Sequence, residues 1–292
     1  MNKRSYGRSI AVLAVSAALC SALAPAAGAA TASPAGRQHH NHHHYGALVD
    51  THRARTHAAL APRVRANVPA SVDLSNYLPS VGDQGQVGSC VAWAIDWSAI
   101  TIMENEQGIT GAPHAPMYTY AQIAQGNDQG SYASQHFAIL TSQGLDTKAD
   151  YWQGDFDYTT QPDSNETANA ANWKLSGSTS LNTGAALVDD VKNSLSQGMP
   201  VVFAFDVYQS FEDLNSSTAA DYSYYPTDSE LAGQPLGGHE ITIVGYNDQG
   251  VKVANSWGSS WGDNGYVTLP WKFVTGQIQE ADAVGKMVTA GA

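Results

Sequence analysis

A chain of 292 residues, 43% hydrophobic and 14% charged, is long enough to bury a sizeable core as one or two domains. Eight of its 14 lysines and arginines precede Asn67; from Val68 onward six lysines stand against 25 carboxylates, a balance of −19. That excess of negative charge argues against a nucleic-acid partner, and no stretch beyond the N-terminus is apolar for long enough to span a membrane.

The first 29 residues read as a signal peptide. Lys3, Arg4 and Arg8 supply the positive start, residues 10–23 the apolar core, and Ala27-Gly28-Ala29 a cleavage site, with Ala30-Thr31-Ala32 as a second candidate. The expected product is soluble, secreted and extracellular. Cys20 lies inside the signal, and Leu19 before it is too large for lipoprotein cleavage. Removal leaves Cys90 as the single cysteine, so no intramolecular disulfide can form.

Residues 30–67 hold seven of the ten histidines, five of them in His39-His40-Asn41-His42-His43-His44. Such a tract is able to bind metal ions, but a disordered or removable prosegment is the expectation. Residues 68–292 form the folded domain.

Within that domain, residues 91–103 are apolar and free of proline and glycine, with Gly108 as a C-cap. They predict a mostly buried helix with Cys90 in its first turn. Unpaired N–H groups and the helix dipole favour an anion there, which lowers a thiol's pKa. Gly85 and Gly88 permit close approach of another backbone. Residues 116–125 predict a short helix ended by Gly126; residues 127–131 predict a turn, and residues 132–143 a helix capped by Gly144. Residues 154–182 read as an irregular connection. Leu187, Val188, Val191 and Leu195 share a helical face, residues 200–207 make an apolar strand, and residues 214–236 make a long loop. Residues 241–246 and 251–254 flank a hairpin-like turn, and Asn264-Gly265 precedes a further strand. Helices therefore gather in the first half and strands in the second, which predicts two lobes and a cleft.

A cysteine nucleophile needs a base, and the base an orienting group. His239 stands in Gly237-Gly238-His239-Glu240, and Asn255 in Val253-Ala254-Asn255-Ser256-Trp257-Gly258. Taken singly, His239 reads as a structural histidine, Asn255 as a turn residue, Trp257 as a core aromatic and Gln84 as a surface amide. Their joint occurrence around a lone cysteine favours chemistry.

Three blocks carry a resemblance to the papain family of cysteine peptidases: residues 84–94, 237–246 and 255–266. The likeness extends over residues 69–271. It implies an α+β fold with a helical N-terminal lobe, an antiparallel β-barrel-like C-terminal lobe and a cleft between them. It also implies a cysteine-type endopeptidase with Cys90 as nucleophile, His239 as base, Asn255 as orienter, and Gln84 with the Cys90 N–H as oxyanion donors. By the same resemblance Gly130 pairs with extended substrate, Trp257 screens the His239–Asn255 bond, and Glu240 walls the main specificity pocket. Val91 and Val87 depart from the family's usual tryptophan and disulfide cysteine. Residues 30–67 stand where the family has a propeptide, but are shorter and lack its long helical motif. The expectation is a monomeric enzyme acting on peptides or proteins, with no cofactor and no metal. The alternatives are a non-enzymatic secreted binding protein on the same scaffold and a thiol amidase or transpeptidase.

Overall fold

The computed structural model describes residues 43–50 and 68–289. The signal peptide, both cleavage candidates, Cys20 and the first part of the histidine tract lie outside the described residues.

Cys90 opens a long helix, α1, assembled from Cys90–Ala92, a π-helical stretch Trp93–Ala99, and Ile100–Gln107. From Cys90 to Glu104 every residue but Trp97 is buried, as an all-round apolar sequence requires. Gly108 ends it at φ +68°. The wider π turn frees backbone carbonyls, and that of Ala94 accepts a hydrogen bond from Thr242 Oγ1 at 2.8 Å. Helix α2 (Pro116–Ala124) starts with proline, whose missing N–H costs nothing in a first turn. It is followed by α3 (Ala133–Ser142). Ile95, Ile100, Met103, Met117, Tyr118 and Leu140 make the core of this helical lobe.

Seven strands form one antiparallel sheet: β1 (Val72–Asp73), β2 (Ser178–Ser180), β3 (Val201–Val207), β4 (Gly237–Tyr246), β5 (Gly250–Ala254), β6 (Tyr266–Pro270) and β7 (Ile278–Val284). Their order is β2-β7-β3-β4-β5-β6, with β1 also paired to β4. The continuous apolar run of β3 is explained by its two covered faces. Val202 and Ala204 belong to the helical core, whereas Val201, Phe203, Phe205 and Val207 belong to the core of the sheet lobe. One strand thus serves both lobes, and the two-lobed α+β expectation holds.

Two stretches differ from the sequence reading. Residues 154–182 are not wholly irregular: they contain α4 (Ser164–Ala170), strand β2, and Trp173–Leu175, which pairs with Met287–Thr289. Helix α4 is started by a capping box. Asp163 Oδ1 accepts from the N–H groups of Asn165 and Glu166, and Glu166 Oε2 accepts from that of Asp163. Beyond Trp271 the chain adds helix α6 (Trp271–Gln277), after α5 (Leu187–Leu195), and then β7, which lies inside the sheet between β2 and β3.

Candidate active site

Gln84, Cys90 and His239 have no exposed surface. The loop before Cys90 bends at Gly85, φ +57°, whose N–H is held by Asp83 Oδ1 at 2.9 Å. Gly88 follows, with its N–H on the Asp128 carboxylate at 3.0 Å. The Cys90 sulfur is approached by the backbone N–H groups of Val91, Glu240 and Gly46. Glu240 is the residue after His239 on β4, so the Cys90 sulfur lies against the strand that carries His239.

His239 is oriented from behind. Its Nε2 lies 2.8 Å from Asn255 Oδ1, which also accepts the Ser256 N–H at 2.7 Å. An amide oxygen can only accept, so Nε2 carries the proton and Nδ1 keeps its lone pair. Nδ1 has no hydrogen-bond partner. Trp257 stacks on the imidazole at 4.6 Å. Phe211 and Trp261 in turn pack on Trp257, at 5.6 and 5.2 Å. The Gln84 amide is aimed by Ser256, whose hydroxyl donates to Oε1 at 2.8 Å and turns Nε2 outward.

The cleft is filled by residues 43–50. Gln84 Nε2 donates to the His44 carbonyl at 2.8 Å, so that oxygen stands where an oxyanion donor would meet its acceptor. The Ala47 N–H donates to Gly238 O at 3.0 Å, and Ala47 pairs with Ser131 as in a parallel ladder. Its bonds are Ser131 N–H to Gly46 O, 2.8 Å, and Leu48 N–H to Ser131 O, 3.0 Å. The ring of His43 stacks on Trp257 at 4.4 Å, and Tyr45 donates to Glu212.

With the cleft sealed, burial disfavours charge on both Cys90 and His239. Burial pushes the Cys90 thiol up to about 12. Burial also holds His239 down to about 3, offset in part by the bond to Asn255 and reinforced by His43. The lowering of the thiol pKa expected at this helix N-terminus is outweighed by burial in the sealed form.

Gly130, expected to pair with substrate, leaves room for the segment in the cleft. It lies at φ +78°, and a Cβ there would sit 2.3 Å from Gly46 O. Ser131 makes the bonds to that segment. The sequence reading also passed over Ser256 and the 43–50 segment. Ser256 had a visible signal in its position between Asn255 and Trp257. The buried Glu240 carboxylate lies near enough to Cys90 to disfavour a thiolate through its charge.

A helical lobe and an antiparallel sheet lobe, with a cysteine from one set against a histidine strand of the other, define a cysteine peptidase. The family model for the papain family cysteine protease matches residues 68–283, and the chain belongs to that family. An uncharacterized peptidase C1-like protein of Acanthamoeba polyphaga mimivirus is 27% identical over 212 residues, covering 68% of this chain and 67% of the relative. Thiol protease aleurain of Arabidopsis thaliana is 29% identical over 199 residues, 65% of this chain and about half, 51%, of its own length. In fold, the chain is similar to xylellain, a cysteine protease from Xylella fastidiosa. The TM-score is 0.67 at 22% identity, over 83% of this chain and 96% of that one. Procathepsin B of Trypanosoma congolense gives 0.65 at 18% identity, over 84% and 87%. Among the described residues no helix is long and apolar enough to cross a membrane.

Proposed function

We propose that the chain is a secreted, monomeric endopeptidase that cleaves peptide bonds through Cys90, His239 and Asn255, and that residues 43–50 hold it inactive until they are displaced. The observation that carries this reading is the Cys90 sulfur lying against the β4 residue next to His239, while Asn255 fixes the ring with Nδ1 unoccupied. Once the segment leaves, His239 Nδ1 takes the thiol proton and the sulfur attacks a peptide carbonyl. Gln84 Nε2 and the Cys90 N–H receive the developing oxyanion. The imidazolium then gives its proton to the departing amine, leaving a thioester. Water, deprotonated by His239, releases the acid and restores the thiol. Peptide or protein is the substrate, held in extended form against Ser131. Glu240 favours a basic residue second from the scissile bond. If Glu240→Ala leaves the ratio of Arg- to Leu-bearing cleavage in a peptide library at its wild-type value, that specificity assignment is wrong.

The test of the central reading is intact-mass analysis after incubation of processed, reduced protein with an epoxysuccinyl thiol-peptidase inhibitor. A single adduct on Cys90 is expected, and it disappears in His239→Ala. Unmodified wild-type protein overturns the reading.

A further inference from the structure

Four polar side chains cross the core of the helical lobe in one line. Asp96 is on α1, six residues past Cys90; Thr119 is on α2, His136 on α3, and Ser131 in the turn that faces the cleft. None has any exposed surface. Thr119 Oγ1 is bonded to Asp96 Oδ2 and lies 2.7 Å from His136 Nδ1; His136 Nε2 lies 2.9 Å from Ser131 Oγ. One consistent arrangement of protons makes these three bonds. Thr119 donates to Asp96, His136 Nδ1–H donates to Thr119, and Ser131 donates to His136 Nε2.

Polar groups in this position need an explanation. Their neighbours are Ile95, Ile100, Met117 and Leu140, and apolar residues of similar volume would fill the space without a buried carboxylate. Asp96 Oδ1 has no hydrogen-bond partner, but the remaining bonds run unbroken from α1 to Ser131 and so fix the relative position of what they join. The two things joined here are Ser131, whose N–H and C=O both bond the segment in the cleft, and the helix that begins with Cys90. Ser131 therefore faces two ways: its side chain is tethered inward to α1 while its backbone reaches outward to an extended chain.

We infer that Asp96, Thr119 and His136 are positioning residues that set the height of the Ser131 backbone relative to Cys90, and so govern how firmly an extended peptide is held across the thiol. The inference rests on the peptidase reading for its catalytic consequence but not for its structural one, and the two are measured separately.

The structural arm uses the full chain, with the 43–50 segment as the bound peptide, and reads amide hydrogen exchange. In Ser131→Ala the Leu48 and Ser131 amides exchange about tenfold faster than in wild type, the equivalent of one lost hydrogen bond, while the sheet-core amides of Val202 and Ile243 keep their rates. Thr119→Val does the same from a residue remote from the cleft, and Thr119→Ser restores wild-type rates. Where Thr119→Val fails to fold, Ser131→Ala decides. The catalytic arm uses the processed enzyme and compares a tetrapeptide amide with a single-residue ester too short to reach Ser131. The preference for the tetrapeptide falls about tenfold, through KM rather than kcat. Wild-type exchange at Leu48 and Ser131, acceleration matched in the sheet core, or an unchanged substrate preference overturns the inference. If wild type cleaves neither substrate, the peptidase reading fails and the exchange arm still decides this one.

Discussion

Gly46 is the tightest point of the sealed cleft. A Cβ built there would lie 1.8 Å from the Gly88 carbonyl oxygen and 2.4 Å from its carbon. A carbon and an oxygen cannot sit closer than about 3 Å, so in Gly46→Ala something must move by more than about 1 Å. The obstacle is backbone, in a loop held by Asp128 and continuous with Cys90, so it is the segment that moves. Gly46 lies outside the left-handed region, which leaves the clash as the sole effect of the methyl group. Four hydrogen bonds hold the backbone of residues 44–48: Gln84 to His44 O, Ser131 to Gly46 O, Ala47 to Gly238 O, and Leu48 to Ser131 O. At about 1 kcal/mol net each, losing two to four of them costs about 2–4 kcal/mol and raises the open fraction roughly 30- to 1,000-fold. The assay is the second-order rate of Cys90 alkylation by iodoacetamide in the full chain at fixed neutral pH. That rate tracks the open fraction, because the thiol is otherwise inaccessible. Gly46→Ala is expected to react at least about 30 times faster than wild type. Equal rates would refute the assignment of residues 43–50 as the barrier.

Stability of the sealed fold should have an acid and an alkaline limb. His239 is held near 3 against an ordinary 6.5, so the unfolded chain takes up a proton first; stability is intact above about 6.5 and falls towards pH 3 by up to about 1.4 kcal/mol per unit. Cys90, pushed to about 12 from 9.0, gives the opposite limb, with stability lost as pH rises above 9. Urea midpoints across this range test both, and His239→Gln should flatten the acid limb; an unchanged slope between pH 6 and 4 would count against the buried neutral ring. Asn255→Ala frees the imidazole to rotate and should lower kcat/KM by about 10²-fold in the processed enzyme; a smaller loss than threefold would mean that Trp257 alone holds the ring. Gln84→Ala should cost about 10²–10³ in kcat, and Ser256→Ala, which only loosens the same amide, a smaller factor in the same direction. If the Ser256 loss exceeds the Gln84 loss, Ser256 has another role.

The candidate site residues stand out because each sits in a recognisable local pattern: turn glycines before Cys90, a glycine pair before His239, an aromatic after Asn255. The long elements were legible for a similar reason, since an apolar run such as residues 200–207 has few other uses. What escaped were features whose cause lies far along the chain. The π turn in α1 shows no local signature, because it is stabilised by Thr242, 148 residues from Ala94. Strand β7, with Glu280 and Asp282 in it, does not read as an interior strand until β2 and β3 are seen on either side. Helix α4 is a different kind of miss. Its capping signal, Asp163-x-x-Glu166, was present and was outweighed by the polar composition around it. Residues 43–50 were read by composition, as histidine-rich and disordered, whereas their backbone groups and Gly46 decide where they lie.

The placement of residues 43–50 has a consequence for how the molecule is made. This stretch is translated before Cys90, yet two of the groups that bond it, Gly238 and Glu280, follow long after Cys90. The thiol at residue 90 is likewise translated before the sheet that will shelter it. Gly238, which bonds Ala47, and His239 are neighbours on β4, so the proposed catalytic pair and its cover are completed by the same strand.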